Sequence, residues 1–242
     1  YSYSTDMDDS FSYSYKISRK TIYHTNAERK SIMLELKNIS KSYNNYIILN
    51  NINISVRKKE IIAITGPSGS GKSTLLNIMG LLERPDTGHI LYNGILINHK
   101  SHQSSLLMRH TISYLFQNFA LVDSMTVYDN LLIGLKYTQY NKKEKKKLIE
   151  ESLLKVGLQN MSNRKIYTLS GGEQQRTALA RILLKESQII LCDEPTGSLD
   201  PINSQMILKL LFQCRQQGKT IVIVTHDPKI ASQCDRIINI HK

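Results

Sequence analysis

At 242 residues, with 40% hydrophobic and 21% charged side chains, the chain suits one globular domain with a sizeable core, which excludes collagen-like and low-complexity classes. No apolar run approaches the ~20 residues of a membrane-spanning helix and no hydrophobic signal core opens the sequence, so a soluble or peripheral protein is expected. Cys192, Cys214 and Cys234 are odd in number and lack metal-ligand spacing, which points to a reduced, intracellular setting, and the formal charge of +12 is too diffuse to assign a nucleic-acid or membrane partner by itself.

Residues 1 to 32 open with YSYSTDMDDSFSYSYK, in which Tyr1, Tyr3, Phe11, Tyr13 and Tyr15 alternate with small polar residues. The pattern fits disorder or an added edge strand. Glu28, Arg29 and Lys30 can be encoded by an unbroken purine run two codons before Met33, as in a ribosome-binding site read through in frame. A native start at Met33 is therefore expected, with a fused upstream segment as the rival, and N-terminal sequencing separates the two.

From Met33 the runs MLELKNIS, YIILNNINISV, EIIAIT and HILYNGILI predict strands split by Asn, Lys and Gly turns. STLLNIMGLL predicts a helix. In the stretch from NKKEKKK, Asn141 to Lys147, onward, Leu148, Ile149, Leu153 and Val156 supply the buried face of a helix whose lysines are solvated. QIILCDEP and TIVIVTHD are continuous apolar runs ending in polar residues, as expected of buried parallel strands that carry their chemistry at their carboxyl ends. No internal repeat is visible.

GPSGSGKS, Gly66 to Ser73, satisfies G-x-x-x-x-G-K-[ST] between an apolar strand and a helix. Gly66, Gly69 and Gly71 let the backbone curl so that successive N–H groups face phosphate oxygens, Lys72 reaches the β- and γ-phosphates, and the Ser73 hydroxyl can ligate Mg²⁺. Asp193 and Glu194 end a strand, where the first can hold Mg²⁺ and the second can polarise an attacking water. A second anion cradle follows from LSGGEQQR, Leu169 to Arg176, because its Ser-Gly-Gly turn opens an amphipathic helix. One domain thus carries two phosphate cradles.

With Gln117 in YLFQNFAL, SLD at Ser198 to Asp200 and His226 in IVTHD, these motifs stand in the order of an ATP-binding cassette (ABC) ATPase, and the chain resembles that family over essentially all of residues 33 to 242. The resemblance implies an α/β P-loop NTPase (RecA-like) core with a parallel sheet, an antiparallel β-subdomain and an inserted helical subdomain at about 118–173. It implies ATP and Mg²⁺, with Gly66, Pro67, Ser68, Gly69, Ser70, Gly71, Lys72, Ser73 and Thr74 forming the phosphate loop and Tyr43 in SKSY stacking on adenine, with Tyr46 as its nearby competitor. Glu194 is implied as the catalytic base, and His226 as a γ-phosphate contact. Gln117 would touch the metal and the attacking water, so that Ser73, Gln117 and Asp193 form the metal set. It further implies a head-to-tail homodimer in which Ser170, Gly171, Gly172 and Glu173 of one copy complete the other's ATP site and Asp200 communicates across the interface.

With no spanning segment, such a cassette would work at the cytoplasmic face of a bacterial membrane through a separate permease docked near residues 118–169, without touching cargo or nucleic acid. The phrases LLERPDTGHILYNG, YLFQNFALVDSMTVYDNLLIGL and DEPTGSLDP resemble the class that includes lipoprotein-release, macrolide-efflux and antimicrobial-peptide transporters, and among these the subunits for lactococcin-type bacteriocin export. The rivals are a cassette driving a non-transporting membrane partner, as in cell division, and a soluble nucleic-acid-associated ABC ATPase. The second is disfavoured because no coiled-coil or zinc insertion interrupts the cassette.

Overall fold

The computed structural model describes residues 31–197 and 200–241, so residues 1–30 of the expected 1–32 extension, and Ser198 and Leu199 of the SLD motif, lie outside the described residues, while Ile32 already belongs to the first strand. Two sheets form the frame. The first is antiparallel, in the order β2-β1-β4-β5, from β1 (Ile32–Tyr43), β2 (Tyr46–Arg57), β4 (Thr87–Tyr92) and β5 (Ile95–Leu96). The β1–β2 hairpin turns at Asn44 and Asn45, whose φ values of 48° and 68° are those of the left-handed turn that matches strand twist, and Asn tolerates them.

The second sheet has the order β6-β7-β8-β3-β9, from β6 (Ile112–Leu115), β7 (Ile189–Asp193), β8 (Thr220–Val224), β3 (Ile61–Thr65) and β9 (Arg236–Asn239), with every neighbouring pair parallel. Every residue of β7 and β8 is buried. Side-chain alternation splits these strands between two cores. Ile61, Ile190, Cys192, Ile221 and Ile223 face one, together with residues from α3 (Val127–Gly134), α4 (Lys142–Lys155), α5 (Gly171–Leu184) and α6 (Pro201–Gln216). Ile62, Ile64, Ile189, Leu191, Val222 and Val224 face the other, with α1 (Lys72–Met79) and the antiparallel sheet. A strand covered on both faces has no polar side to show, which is why these runs read as continuously apolar.

The remaining helices are α2 (His102–His110) and α7 (Pro228–Ala231). Three helices of the segment after β6 start on explicit caps. Thr126, Asn141 and Ser170 each accept from the backbone N–H three residues on, while Asp129, Glu144 and Glu173 return the bond to the cap's own N–H. In α4 the lysines from Lys142 to Lys147 are exposed or half-buried, whereas Ile149, Leu153 and the cap residue Val156 are fully buried. α5 continues past residue 173 into the core, so the signature helix joins the helical segment to the parallel sheet.

Candidate functional site

Parallel strands bring their carboxyl ends to one edge, and four of them deliver the candidate residues there. β3 leads into the phosphate loop, β6 into Gln117, β7 into Asp193 and Glu194, and β8 into His226. The loop is held close to the sheet: Ile240 donates its N–H to Thr65 at 2.8 Å, and a Cβ on Gly66 would stand 2.2 Å from the Ile240 carbonyl oxygen. Gly71, at φ 88°, is equally confined, since a Cβ would meet Ile48 Cγ2 at 2.7 Å and Leu49 Cδ2 at 2.9 Å. The β1–β2 hairpin therefore presses directly on the cradle.

Lys72 Nζ donates to the carbonyl oxygens of Gly66 (3.0 Å) and Pro67 (2.8 Å), which places its charge over the loop. Pro67, Ser68, Gly69 and Ser73 are exposed and Thr74 half-buried. Ser70 is 1% exposed and its Oγ has no hydrogen-bond partner among the described residues. An orphaned buried hydroxyl in a loop whose Gly66, Gly69 and Gly71 all have positive φ fits a polyphosphate.

Ser73 Oγ donates to Asp193 Oδ1 at 3.2 Å. Burial pushes the Asp193 carboxyl above its ordinary value; the Ser73 bond opposes this, Glu194 adds to it and Lys72 opposes it. Gln117 is exposed and lines one open depression of about 630 Å³ together with Asp193, Asn77 and Tyr114. Ser73, Asp193 and Gln117 offer hard oxygen donors at this edge, and a divalent cation such as Mg²⁺ would offset the cost of burying the ionised Asp193 carboxylate.

Glu194 has φ 46°, a left-handed conformation that costs a non-glycine residue about 1 kcal/mol or more. Its N–H donates to Val224 O at 3.0 Å, and its Oε1 lies 3.0 Å from Nδ1 of His226. That hydrogen bond with the carboxylate holds the His226 imidazole above its ordinary value. β7 and β8 are neighbours in the sheet, so a carboxylate and an imidazole 32 residues apart in sequence become a pair.

Tyr43 ends β1, 43% exposed, with its hydroxyl donating to Glu83 Oε1. Tyr46, paired with it across the hairpin, is 76% exposed and forms none of these contacts. Asp200 caps α6 by accepting from Ile202 and Asn203, each at 3.0 Å.

The second cradle stands apart. Ser170 caps α5, and its side-chain bonds all go to Glu173, whose carboxyl is drawn below its ordinary value first by the Ser170 N–H (2.7 Å). Gly171 points at open space, with nothing within 4 Å of an added Cβ, and Gly172 is half-buried beside it. Among the described residues no hydrogen bond joins this turn to the phosphate loop of the same chain.

Contacts that sequence reading missed tie the cradles together at second hand. Gln175, 3% exposed, donates its side-chain amide to Pro195 O, and Arg176 donates to Asn203 Oδ1, while Asn203 in turn donates to Asp200. The helix that opens at Ser170 is thus bonded to the segment that follows Glu194. Gln175 and Arg176 were within the signature phrase, but nothing in their spacing names partners that lie 20 and 27 residues away.

A family model described as "ABC transporter" matches residues 49–197. The uncharacterized ABC transporter ATP-binding protein YvrO of Bacillus subtilis is 42% identical over 211 residues, covering 85% of this chain and 92% of that protein. The macrolide export ATP-binding/permease protein MacB of Pasteurella multocida is 39% identical over 85% of this chain, which spans 32% of that longer protein. Among solved structures, the dimeric bacterial ABC transporter cassette MJ0796 is 37% identical with a TM-score of 0.81, covering 86% of this chain and 94% of that one. The same cassette in a dimeric post-hydrolysis state bound to ADP and Pi gives a TM-score of 0.80.

Proposed function

From a chain that belongs to the ABC transporter family, as an ATP-binding and ATP-hydrolysing cassette, we propose the energy-supplying subunit of an exporter whose permease is a separate integral-membrane protein. One observation carries the dimeric part of this reading: the chain has two phosphate cradles, and the one at Ser170 faces open space instead of its own phosphate loop. Two copies placed head to tail bring each Ser170 turn to the other's Gly66–Ser73 loop, so ATP is held between them. The dimeric cassette to which the chain is similar supports this arrangement.

Within each site the loop N–H groups and Lys72 bind the phosphates, and Tyr43 stacks on the base. Glu194 orients a water and accepts its proton as the water oxygen bonds to the γ-phosphorus and the bond to the β–γ bridging oxygen breaks. His226, hydrogen-bonded to Glu194, fixes the direction of that carboxylate and reaches toward the γ-phosphate. Ser73, Asp193 and Gln117 would hold Mg²⁺, which supplies charge neutralisation of the phosphate oxygens. Hydrolysis removes the group that both cradles share, which weakens the dimer and releases mechanical work to the partner.

No helix among the described residues is long and apolar enough to cross a membrane. In this reading the work passes to a permease at the cytoplasmic face. Similarity to macrolide export proteins supports an export role, and the FQNFALVD and TVYDNL wording supports a bacteriocin-type antimicrobial peptide as cargo. The test is affinity purification from detergent-solubilised native membranes with ATP present, followed by ATPase assay in reconstituted vesicles. Recovery of a many-span permease whose complex with the chain shows ATPase that rises with a secreted peptide supports the proposal. Recovery of nucleic acid or ribosomal proteins alone overturns the transporter, and a permease complex indifferent to any exported compound favours the non-transporting partner.

A further inference from the structure

The end of β1 is stitched to the segment that follows α1 by more contacts than a hairpin edge requires. Tyr43 donates its hydroxyl to Glu83 Oε1. Lys41 Nζ stands 5.3 Å from the centre of the Tyr43 ring, 3.3 Å from Glu83 Oε1 and 3.2 Å from Asp86 Oδ1, and donates to Arg84 O at 2.9 Å. Asp86 Oδ2 accepts from Ser42 N–H at 2.7 Å, and Asp86 N–H donates to Ser40 O at 2.9 Å. Burial and the Glu83 bond both push the Tyr43 hydroxyl above its ordinary value, so the phenol stays a donor throughout neutral pH. A Tyr at a hairpin end ordinarily samples several rotamers. Here its ring is pinned at the hydroxyl by Glu83 and at one side by the Lys41 ammonium, and 43% of the residue still meets solvent.

We propose that Glu83 is a positioning residue for nucleotide binding: with the Lys41 ammonium at one side of the ring, it holds Tyr43 in the orientation from which one exposed face stacks on the base. This rests on the reading of Tyr43 as the stacking platform. The gain is preorganisation. Ordering a side chain on binding weakens affinity, and a side chain already ordered in the free protein avoids that loss.

The test is calorimetric titration of the full chain with ADP and, separately, with inorganic pyrophosphate, which has no base. Glu83→Ala and Tyr43→Phe are each expected to weaken ADP about two- to tenfold while leaving pyrophosphate unchanged. The double variant is expected to fall short of the product of the two single effects, because both remove the Tyr43–Glu83 bond. Glu83→Gln, whose side-chain carbonyl still accepts from the hydroxyl, is expected to recover most of the loss. If Tyr43→Ala lowers ADP affinity relative to pyrophosphate but Glu83→Ala and Tyr43→Phe do not, the positioning role is overturned and stacking stands. If Tyr43→Ala leaves that ratio unchanged, the stacking reading falls and the positioning role goes with it.

Discussion

Nδ1 of His226 lies 3.0 Å from Oε1 of Glu194, and the carboxylate raises the imidazole above its ordinary value. A group whose folded value is raised contributes stability that is complete below its unfolded value, about 6.5 for histidine, and lost as pH climbs through the folded value. The imidazole side chain is 72% exposed, so solvent screens the effect. The melting-temperature difference between wild type and His226→Gln is expected to be larger at about pH 6 than at about pH 8.5. NMR titration of Glu194→Gln is expected to return the imidazole toward its ordinary value. That variant should still bind ATP and dimerise but lose about 10²- to 10⁴-fold in turnover, and unchanged ATPase would remove Glu194 as the base.

The metal role proposed for Asp193 sets its function against stability. Burial raises its carboxyl, so the folded protein binds a proton more readily than the unfolded chain and is weakened as pH rises and the buried charge forms. Asp193→Asn keeps an oxygen that can accept from Ser73 Oγ but removes that charge. It is expected to melt at the same or higher temperature than wild type in EDTA, while Mg²⁺-dependent ATPase drops by about 10²-fold or more. A lower melting temperature together with intact ATPase would remove Asp193 from the metal set.

The bond from Gln175 to Pro195 O leads to a different expectation. Gln175→Leu leaves a buried carbonyl without its donor, at about 1–3 kcal/mol, and frees the segment after Glu194. Melting temperature should fall, and kcat should fall with KM for ATP nearly unchanged, because the phosphate loop is untouched. Calorimetric counting of ADP sites separates this from partial unfolding: one site per chain should remain when only kcat is impaired, whereas unfolding would lower the site number together with apparent kcat.

How much of this was legible in the sequence depends on the kind of contact. The phosphate loop was legible because its glycines answer to the loop backbone: Gly66 and Gly71 sit where a Cβ would collide with Ile240 and Ile48. β7 and β8 were legible because burial on both faces leaves an unbroken apolar run. β6 and β9 span four residues each, too few for a period to show, and α2 is polar enough that only its Ser101 cap marks it. The partners Glu83, Gln175 and Asn203 were invisible because they are defined by where separate elements come to lie, and a one-dimensional phrase does not encode that.

Gly171 gives the sharpest separation of structure from function. It occupies the first turn of α5, has no left-handed φ, and nothing lies within 4 Å of a Cβ built on it. Alanine is a better helix former than glycine by up to about 1 kcal/mol, so in the isolated chain Gly171→Ala should melt at the same temperature or slightly higher. If the Ser170 turn closes on the partner's γ-phosphate, backbone N–H groups must approach phosphate oxygens closely, and the added methyl group stands in that approach. In a Glu194→Gln background, gel filtration with ATP is expected to give a dimer and, with Gly171→Ala added, a monomer that still binds ADP normally. Ser170→Arg should act in the same direction. A Gly171→Ala protein that dimerises fully with ATP and retains wild-type turnover in the native background would mean that the open face of α5 meets something other than a second phosphate, and the head-to-tail pair would have to be abandoned.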